Sequence, residues 1–466
     1  METTIDESDV RAKPVRNRAS FRDPYGYVVE DAGRIFRCLT PEGMAQWNRF
    51  NDSTVGRMLQ QRGVLIPTWI PASLPDALHA ESVVEHEKVK VISYSHEWSF
   101  TTLREAALLH LELMSALVPA GWWLKDADPA NVQWYGGRMV LIDTASIEPM
   151  REGPWPGLGQ FCETMLFPLM LSSYLEMPHS AFLSGVAGAR IDVHSTARLL
   201  GWGRIFKPGV ALEVLLQSLL QNWFSDLDLS RESGINKSVK MAEQSLVRML
   251  ARMKRLLERL PPPKFGGWTD YAAQEGYDQE ARLHKAQLVE SWLAEMSRPS
   301  LLCDLGANTG FYARLAQKYA QMVVATDADA GCVNAIAASG LSQTLALLSD
   351  FTAPSPSMGW RLTERPAFWE RVKPEVSIAL ALIHHVCLGK LIPLDQAVET
   401  LLATSPVLIL EFVGSEDPMG KMLLQRRGVP RPDYTEENLV ATVSRLGRRV
   451  VHLDRITPNR GLFLIR

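Results

Sequence analysis

The sequence predicts two domains: an α+β domain in the N-terminal half and, joined to it by a long helix, a C-terminal α/β domain with a doubly wound, largely parallel sheet. Three observations support this fold class. After residue 265, apolar segments alternate with helical segments, as in βαβ units. An amphipathic helix before that point ends at Pro261-Pro262-Pro263, which marks a boundary. A chain of 466 residues is long enough to bury two or three cores.

Composition argues against several classes of protein. The net charge of −3 gives no overall attraction to nucleic acid or membrane. The five cysteines are scattered and form no C-x-x-C pair, which argues against a zinc site or a disulfide framework and favours a reducing compartment. We therefore expect a cytoplasmic protein without a structural metal ion.

Two segments bear on targeting. Residues 1–20 are polar and mixed in charge, without the apolar core of a signal peptide, and we expect them to be disordered. The most apolar run, residues 161–175, is short and contains Glu163 and Pro168, so it predicts a buried helix instead of a membrane span. No membrane partner is expected.

The first domain is predicted to begin with a hairpin. β-Branched and aromatic residues flank the turn sequence Asp31-Ala32-Gly33. Residues 43–63 predict a helix closed by Gly63. The segment "HEKVKVISYSHEWSF" is predicted to be a strand that leads into a connector, and "TTLREAALLHLELMSALVPAGW" has the periodicity of a helix.

The stretch "LKDADPANVQWYGGRMVLIDTAS", residues 124–146, resembles the catalytic region of protein kinases. Asp126 and Asn131 have the spacing of the catalytic base and a magnesium ligand, and Asp143 ends an apolar strand, as the second magnesium ligand does. The resemblance implies a kinase-like domain over residues 21–235. The alternative is a structural loop in which these polar groups satisfy the nearby backbone.

Other parts of the kinase pattern are missing. Lys125 stands where an Arg normally precedes the catalytic Asp, and there is no Gly-rich loop in the early hairpin. No Lys occurs between positions 13 and 88, so only Arg34 or Arg37 can replace the strand lysine that holds phosphate. We therefore predict a degenerate domain that presents an acceptor, binds a nucleotide without turnover or mediates dimerisation, for example as a homodimer.

Residues 236–264 are predicted to join the domains as a helix and a proline-rich linker. Apolar residues at three- and four-residue spacing form one stripe: Leu246, Met249, Leu250, Met253, Leu256, Leu257 and Leu260. The other face is basic, with Arg248, Arg252, Lys254, Arg255 and Arg259. A solvated face is the more common role of such a pattern, and RNA binding is the alternative. We therefore predict no nucleic-acid partner.

A glycine-rich turn marks the C-terminal domain. In "LLCDLGANTGFYARLAQKY", an apolar strand passes through Asp304, Gly306, Asn308 and Gly310 into a helix, and glycines there let the backbone turn tightly and approach a ligand. The turn alone is a weak signal. It gains weight because Asp327 ends the next strand, at the distance from which an acidic side chain reaches a ribose diol.

A third apolar segment is followed by Asp350-Phe351, where a carboxylate and a ring suit an adenine. This order resembles class I S-adenosylmethionine-dependent methyltransferases over residues 265–466. The resemblance implies S-adenosylmethionine as cofactor, with Asp304 and Gly306 beside its methionine part, Asp327 on the ribose hydroxyls and Asp350 near the adenine amine. A nicotinamide-binding domain is the alternative; the single nucleotide-binding half and the last strand "NRGLFLIR", which suits the reversed final strand of methyltransferases, disfavour it.

Two histidines are candidates for the general base. The segment "EVSIALALIHHVCLGK" is predicted as a strand that brings His384 and His385 to the carboxyl edge of the sheet, where ligands bind. Methyl transfer often needs a base that removes a proton from the acceptor, and histidine suits that role. Adjacent strand residues face opposite sides, so at most one of the pair acts, and His385 is favoured. In the alternative, one of them caps backbone groups inside the sheet.

Acidic residues are expected just beyond another strand end. Glu411, Glu416 and Asp417 follow "VLIL" in this region, and Glu411 is the candidate that orients the histidine or binds a polar acceptor. Solvated loop carboxylates are the alternative. Ahead of the sheet, Tyr277 and Lys285 belong to a segment that is predicted to cover the cofactor as a lid, with ordinary helix packing as the alternative.

A finer resemblance extends over most of the chain, from about residue 25. The segments "LALALIHH", "LEFVGSEDPM" and "PDYTEENL", together with "LKDADPANVQW" in the first half, are similar to a bacterial group of nodulation-protein-type (NoeA-like) methyltransferases. The resemblance implies methyl transfer, and we expect an oxygen of a small metabolite or saccharide as the acceptor. The alternatives are a bifunctional kinase–methyltransferase acting on a glycan and a non-catalytic assembly partner that retains the cofactor.

Overall fold

The structure, a computed structural model, contains two packed halves. The residues that it describes are 15–75, 78, 82–183, 190–215, 243–264 and 279–466. Most of the segment that was predicted to be disordered lies outside them. Val15–Arg16 nevertheless form a strand, so ordered structure begins before residue 21, where the first domain was predicted to start.

The N-terminal half opens with an antiparallel sheet. Its strands are β1 (Val15–Arg16), β2 (Gly26–Asp31), β3 (Arg34–Leu39), β4 (Thr68–Trp69) and β5 (Val83–His86). Within the residues described before 184, these five strands pair in the order β1-β2-β3-β5-β4. The predicted hairpin is confirmed, since β2 and β3 are joined by Ala32 and Gly33, both at positive φ.

Two of the predicted elements of this half are wrong. The helix predicted over residues 43–63 is two helices, α1 (Pro41–Asn51) and α2 (Thr54–Gln61), because Ser53 begins a new helix by accepting a hydrogen bond from the Gly56 N–H. The strand predicted to begin at His86 instead ends there, because His86 is the last residue of β5 and residues 87–94 lack regular structure. There the Gln133 side chain, not a neighbouring strand, satisfies both backbone groups of Ser93.

The remainder of the N-terminal half is mostly helical. Its elements are α3 (Phe100–Leu117), β6 (Trp122–Leu124), β7 (Val132–Tyr135), β8 (Arg138–Leu141), β9 (Ile147–Pro149), α4 (Leu158–Phe161), α5 (Phe167–Leu175) and α6 (Val193–Leu200). The predicted helix α3 is confirmed. A π-helical turn joins α4 to α5, and this apolar run is buried, as predicted. No described helix combines the length and the apolar character that a bilayer crossing requires.

The predicted connecting helix is confirmed as α7 (Glu243–Arg259), which packs against α3. Its apolar stripe is the buried face, with Leu250 and Leu257 fully buried. Just beyond its end, the Leu260 carbonyl accepts a hydrogen bond of 3.3 Å from Arg104 of α3. The helix is therefore part of the core of the N-terminal half as well as a connection.

The C-terminal half is a three-layer α/β domain. Its strands are β10 (Leu302–Leu305), β11 (Val323–Asp327), β12 (Thr344–Leu348), β13 (Val376–Ala379), β14 (Val407–Val413), β15 (Val450–Thr457) and β16 (Arg460–Ile465). Its helices are α8 (Gln279–Ala294), α9 (Phe311–Ala316), α10 (Ala330–Ala338), α11 (Phe368–Arg371), α12 (Leu394–Thr404), α13 (Pro418–Arg427) and α14 (Glu436–Arg445).

Within residues 279–466, all of which are described, the seven strands pair in the order β12-β11-β10-β13-β14-β16-β15. The strands from β12 to β14 are parallel, and β16 is antiparallel to both of its neighbours. The predicted reversed last strand is thus confirmed, whereas β15 was not predicted. The strand order reverses between β10 and β13, and ligands of such sheets bind at this switch point.

Buried polar contacts hold the two halves together. Arg371 of α11 forms an ion pair with Glu97, and the two side chains are 5% and 0% exposed. The same guanidinium donates to the Ile92 carbonyl. Asn334 of α10 accepts hydrogen bonds from the N–H and the hydroxyl of Thr101, at 3.0 and 2.9 Å, in the first turn of α3. The chain therefore folds as one packed unit.

Candidate active site at the sheet edge

The turn after β10 lies at the switch point of the sheet. Gly306 and Gly310 have φ of +71° and +83°, and Asn308 has φ of +48°, so three of its residues occupy the left-handed region. A Cβ on Gly310 would lie 2.9 Å from Cγ1 of Ile336, and one on Gly306 would lie 3.3 Å from Leu382, which follows β13. The glycines thus keep open a cradle between the ends of β10 and β13.

Asp327, at the end of β11, faces this turn. One carboxylate oxygen accepts the Asn308 N–H at 2.8 Å, and the other accepts the Asp329 N–H at 2.8 Å. Burial raises the pKa of Asp327, and the two backbone N–H groups partly oppose that rise. The predicted pair Asn308 and Asp327 is therefore brought together, with the carboxylate fixed beside the turn.

Asp304 is the buried carboxyl group of the site. It is 2% exposed, and its Oδ2 has no hydrogen-bond partner among the described residues. Burial, and secondarily the charge of Asp327, raise the pKa of Asp304 to about 7. Two carboxyl groups with raised pKa values at the ends of β10 and β11 suit a ligand that brings a positive charge.

Asp350 lies beyond the end of β12 in a polar cluster. It accepts hydrogen bonds from the N–H and the hydroxyl of Thr352 at 2.8 Å, and it pairs with Lys390. Burial acts to raise the pKa of Asp350, but Lys390 and Thr352 outweigh it and lower the pKa. Phe351 is half-buried against the core. Lys390 was not predicted, although its position soon after the histidine pair was visible in the sequence.

The two histidines do not lie on a strand, which corrects the prediction. β13 ends at Ala379, and a helical turn contains His384 and continues as a π-helical turn from His385 to Gly389. The ring centroids of His384 and His385 are 4.2 Å apart, so the side chains do not point to opposite faces. The helical backbone after the strand end explains the difference, because successive residues no longer alternate.

Only one of these histidines is accessible. His384 is 1% exposed, and neither of its ring nitrogens has a hydrogen-bond partner among the described residues. Burial lowers the pKa of His384 well below its ordinary value. His385 is half-buried, and burial, followed by the charge of Arg460, lowers its pKa to about 4. Both imidazoles are therefore neutral at physiological pH.

Glu411 lies inside β14, not beyond its end as predicted, and it is fully buried. Its carboxylate pairs with Lys285 of α8 at 3.1 Å and with Arg460 of β16 at 3.3 Å, and it accepts the Ala381 N–H at 2.9 Å. Arg460 also pairs with Asp417 at 2.7 Å. Glu411 therefore fixes the start of the turn that carries the histidines.

Lys285 is not an exposed lid residue. Its side chain is 2% exposed, and it lies between Glu411 and the ring of Tyr312, whose centroid is 5.4 Å from Nζ. Tyr277 lies outside the described residues. Arg460 and Ala381, which join this network, were not predicted from the sequence. Arg460 stands at the start of the predicted last strand, and a charged residue at the start of a buried strand was the available signal.

A second cluster of polar residues lies in the N-terminal half. Asp126 accepts a hydrogen bond from the Asn131 amide. Arg37 of β3 pairs with Asp23 at 2.9 Å and approaches Asp143 to 2.8 Å, although the second contact is not aligned as a hydrogen bond. Burial, and then the charge of Asp143, raise the pKa of Asp126 to about 6.

This second cluster is not arranged as a metal site. In the part of the chain that the structure describes, no group of three or more His, Cys, Asp or Glu side chains converges as metal ligands would. Arg37 takes the place that a cation would need beside Asp143. Arg34 was the other candidate to replace the phosphate-binding strand lysine of kinases. It is not available for that role, because it pairs with Glu85 at 2.6 Å.

The parallel sheet with a reversed β16, the glycine turn after β10 and the carboxylate ending β11 together form the fold of class I S-adenosylmethionine-dependent methyltransferases. A comparison of sequences identifies the family. The chain is 31% identical to nodulation protein NoeA of Rhizobium meliloti (strain 1021) in an alignment of 455 positions that covers 94% of this chain and 93% of that protein. The chain belongs to the NoeA family.

Solved structures are only distantly similar. Magnesium protoporphyrin IX methyltransferase of Synechocystis PCC 6803 is 16% identical, with a TM-score of 0.30 and coverage of 43% of this chain and 93% of that one. NodS, an N-methyltransferase of Bradyrhizobium japonicum, is 7% identical, with a TM-score of 0.30 and coverage of 41% of this chain and 97% of that one. The bifunctional kinase-methyltransferase WbdD is 17% identical, with a TM-score of 0.28 and coverage of 43% of this chain and 42% of that one. TM-scores of this size carry no functional argument. No protein-family model matches the chain.

Proposed function

We propose that this protein binds S-adenosylmethionine at the β10–β11 edge and methylates an oxygen of a small metabolite or saccharide, with His385 as the general base. The observation that carries the proposal is the cradle at the switch point: a left-handed turn, the unpartnered buried Oδ2 of Asp304 and the fixed carboxylate of Asp327 converge there. A ligand with one amine and a diol matches this set of donors and acceptors.

The residues of the cradle fit this cofactor. Asp304 would accept from its amine, Gly306 would pass beside its methionine part, and Asp327 would hold its ribose hydroxyls. Asp350 would face the adenine amine, with Phe351 beside the ring. When bound, the cofactor supplies a methyl group already activated on a sulfonium. The task of the chain is then alignment of the acceptor and removal of its proton.

His385 is the better candidate for that removal. The half-buried ring can meet an acceptor, whereas His384 is closed off by the core. A pKa near 4 keeps His385 neutral at physiological pH. It also makes the ring a weak base, so in this proposal His385 takes the proton only as the methyl group is transferred. Glu411 supports the ring indirectly, because it binds the Ala381 N–H at the start of the same turn. In this proposal Glu411 is a positioning residue, as is Lys285, which pairs with it.

Calorimetry with S-adenosylmethionine tests the cofactor site. Saturable binding is expected for the wild type. Asp327→Ala should weaken it about 100-fold, because each hydrogen bond to a charged group contributes about 1.5–3 kcal/mol. The control is Asp395→Ala, since Asp395 is an exposed acid in the first turn of α12. Absence of binding to the wild type, or equal affinity of Asp327→Ala, would refute the site.

We also propose that residues 21–235 are a degenerate kinase-like domain that presents the acceptor. The contact between Asp126 and Asn131 and the approach of Arg37 to Asp143 support the arrangement. The same arginine disfavours phosphotransfer, because a fixed guanidinium opposes a divalent cation beside Asp143. The second candidate function, a kinase–methyltransferase acting on a glycan, needs that cation.

Turnover of ATP with magnesium separates these two functions. The degenerate domain predicts no turnover above background by the wild type, and an unchanged rate in Asp143→Ala. Turnover that Asp143→Ala abolishes would instead establish the kinase function. Asp192→Ala serves as a control for general damage, because Asp192 caps α6 away from this cluster.

A further inference from the structure

The strongest feature outside these sites is an exposed aromatic patch in the N-terminal half. Four apolar side chains between α6 and the segment that follows it are exposed: Leu199, Trp202, Phe206 and Leu212. Phe206 is 97% exposed and Trp202 is 74% exposed, which is exceptional for side chains of this size. We call these four residues the aromatic patch.

The backbone beneath the patch is fixed. Leu200 and Val210 are fully buried on either side of the two aromatic residues. Arg204 donates to the carbonyls of Leu200 and Tyr174 at 3.1 and 3.3 Å, and the Tyr174 hydroxyl donates to the Pro208 carbonyl at 2.7 Å. Trp202 and Phe206 therefore project from a segment that is attached to α5 and α6 by its own contacts.

Among the residues described near the patch, basic side chains outnumber exposed acids, and Asp192 at the start of α6 is the exposed acid that precedes it. From residue 193 to 212 the sequence contains Arg198, Arg204 and Lys207 and no Asp or Glu. The next acid along the chain, Glu213, is neutralised by Arg252 of α7 at 2.6 Å. Helix α7 packs here as well, since a Cβ on Gly209 would meet Leu256. The exposed residues of α7 include three cations, Arg248, Arg255 and Arg259, and two acids, Glu243 and Glu258.

We propose that the aromatic patch and its basic surroundings dock the protein on an anionic lipid bilayer. Trp and Phe side chains insert at the level of the lipid headgroups, and lysine and arginine beside them bind acidic headgroups. A second copy of the chain fits less well, because it would bring two sets of cations together. Docking of this kind needs no membrane-spanning helix, and it does not depend on the proposed methyl transfer.

Co-sedimentation of the full chain with lipid vesicles tests the proposal. Binding to vesicles of phosphatidylcholine and phosphatidylglycerol should exceed binding to phosphatidylcholine alone by at least about ten-fold, and it should weaken as salt is added. The double variant Trp202→Ser/Phe206→Ser should bind anionic vesicles about ten-fold or more weakly than the wild type. Arg198→Gln and Lys207→Gln should each weaken binding to anionic vesicles about five-fold.

The matched control is Trp360→Ser, because Trp360 is 63% exposed in the C-terminal half. It should bind vesicles like the wild type, and all variants should keep the wild-type unfolding temperature. Equal binding to neutral and anionic vesicles would overturn the proposal, as would an equal loss in Trp360→Ser. A wild-type dimer that Trp202→Ser/Phe206→Ser converts to a monomer in sedimentation velocity, without vesicle binding, would assign the patch to a second copy and also overturn it.

Discussion

At the scale of single residues, Asp304 differs most from its ordinary state. Its pKa is raised to about 7 because it is buried and lies near the charge of Asp327. The folded protein therefore holds a proton on Asp304 that the unfolded chain releases. This group favours folding at low pH, and the advantage is lost as the pH rises from about 4 towards 7.

This titration predicts a pH dependence of cofactor affinity. A ligand amine binds the ionised form of Asp304, so the affinity for S-adenosylmethionine should rise about ten-fold for each pH unit below 7 and level off above it. Calorimetry between pH 5.5 and 8 measures it. Asp304→Asn should bind weakly and nearly independently of pH over this range. A wild-type affinity that is flat with pH would contradict the assignment of the amine to Asp304.

Several of the site residues could be predicted singly from the sequence. Asp304, Asn308 and Asp327 are recognisable because each stands at a fixed place relative to an apolar strand or a glycine. The roles of Glu411 and Lys285 were not recognisable in this way. Both carry charges that usually face water, and only the pairing of α8 with β14 buries them together.

At the scale of elements, the helical turn after β13 decides which of the two histidines is accessible. If the strand had continued, the two rings would lie on opposite faces of the sheet. The turn instead packs the rings side by side and buries only His384. Ala381, with φ of +48°, begins this change of direction, and its N–H is fixed by Glu411.

This geometry gives a prediction about catalysis. With an acceptor found by screening saccharides against labelled S-adenosylmethionine, His385→Gln should lower kcat about 100-fold or more, since a positioned general base contributes about 10²–10⁴-fold. Cofactor affinity should stay the same. His384→Gln is the companion variant, and it should act mainly through stability. An unchanged kcat in His385→Gln would show that no base is needed at this position.

At the scale of the whole molecule, the buried pair of Glu97 and Arg371 joins the halves. These residues are 274 positions apart, and neither side chain has appreciable contact with solvent. Arg371 also lies over the ring of Tyr94, at 4.4 Å from its centroid. Such a pair contributes little net stability when intact, but removal of one partner leaves a buried charge.

Arg371→Met should therefore destabilise the protein by about 3–5 kcal/mol. Urea unfolding, followed by circular dichroism, measures the loss, and Glu97→Gln/Arg371→Met should recover part of it. Lys421→Met provides the comparison, because it removes the exposed pair with Glu416, for which about 0–1 kcal/mol is expected. If Arg371→Met lowered the free energy of unfolding no more than Lys421→Met does, the contact between the halves would not depend on this pair.

The sequence by itself determined the class of the C-terminal sheet, the glycine turn with its two carboxylates and the connecting helix. Each follows from a local period or from a short fixed spacing, which the chain records directly. The tertiary structure alone decided that His384, Glu411 and Lys285 are buried. It also decided that Arg37 lies beside Asp143 and that the two halves pack together. These features arise where side chains from distant elements meet in the protein interior. There the neighbouring groups set the ion pairs and the pKa values, and no local sequence pattern specifies those neighbours.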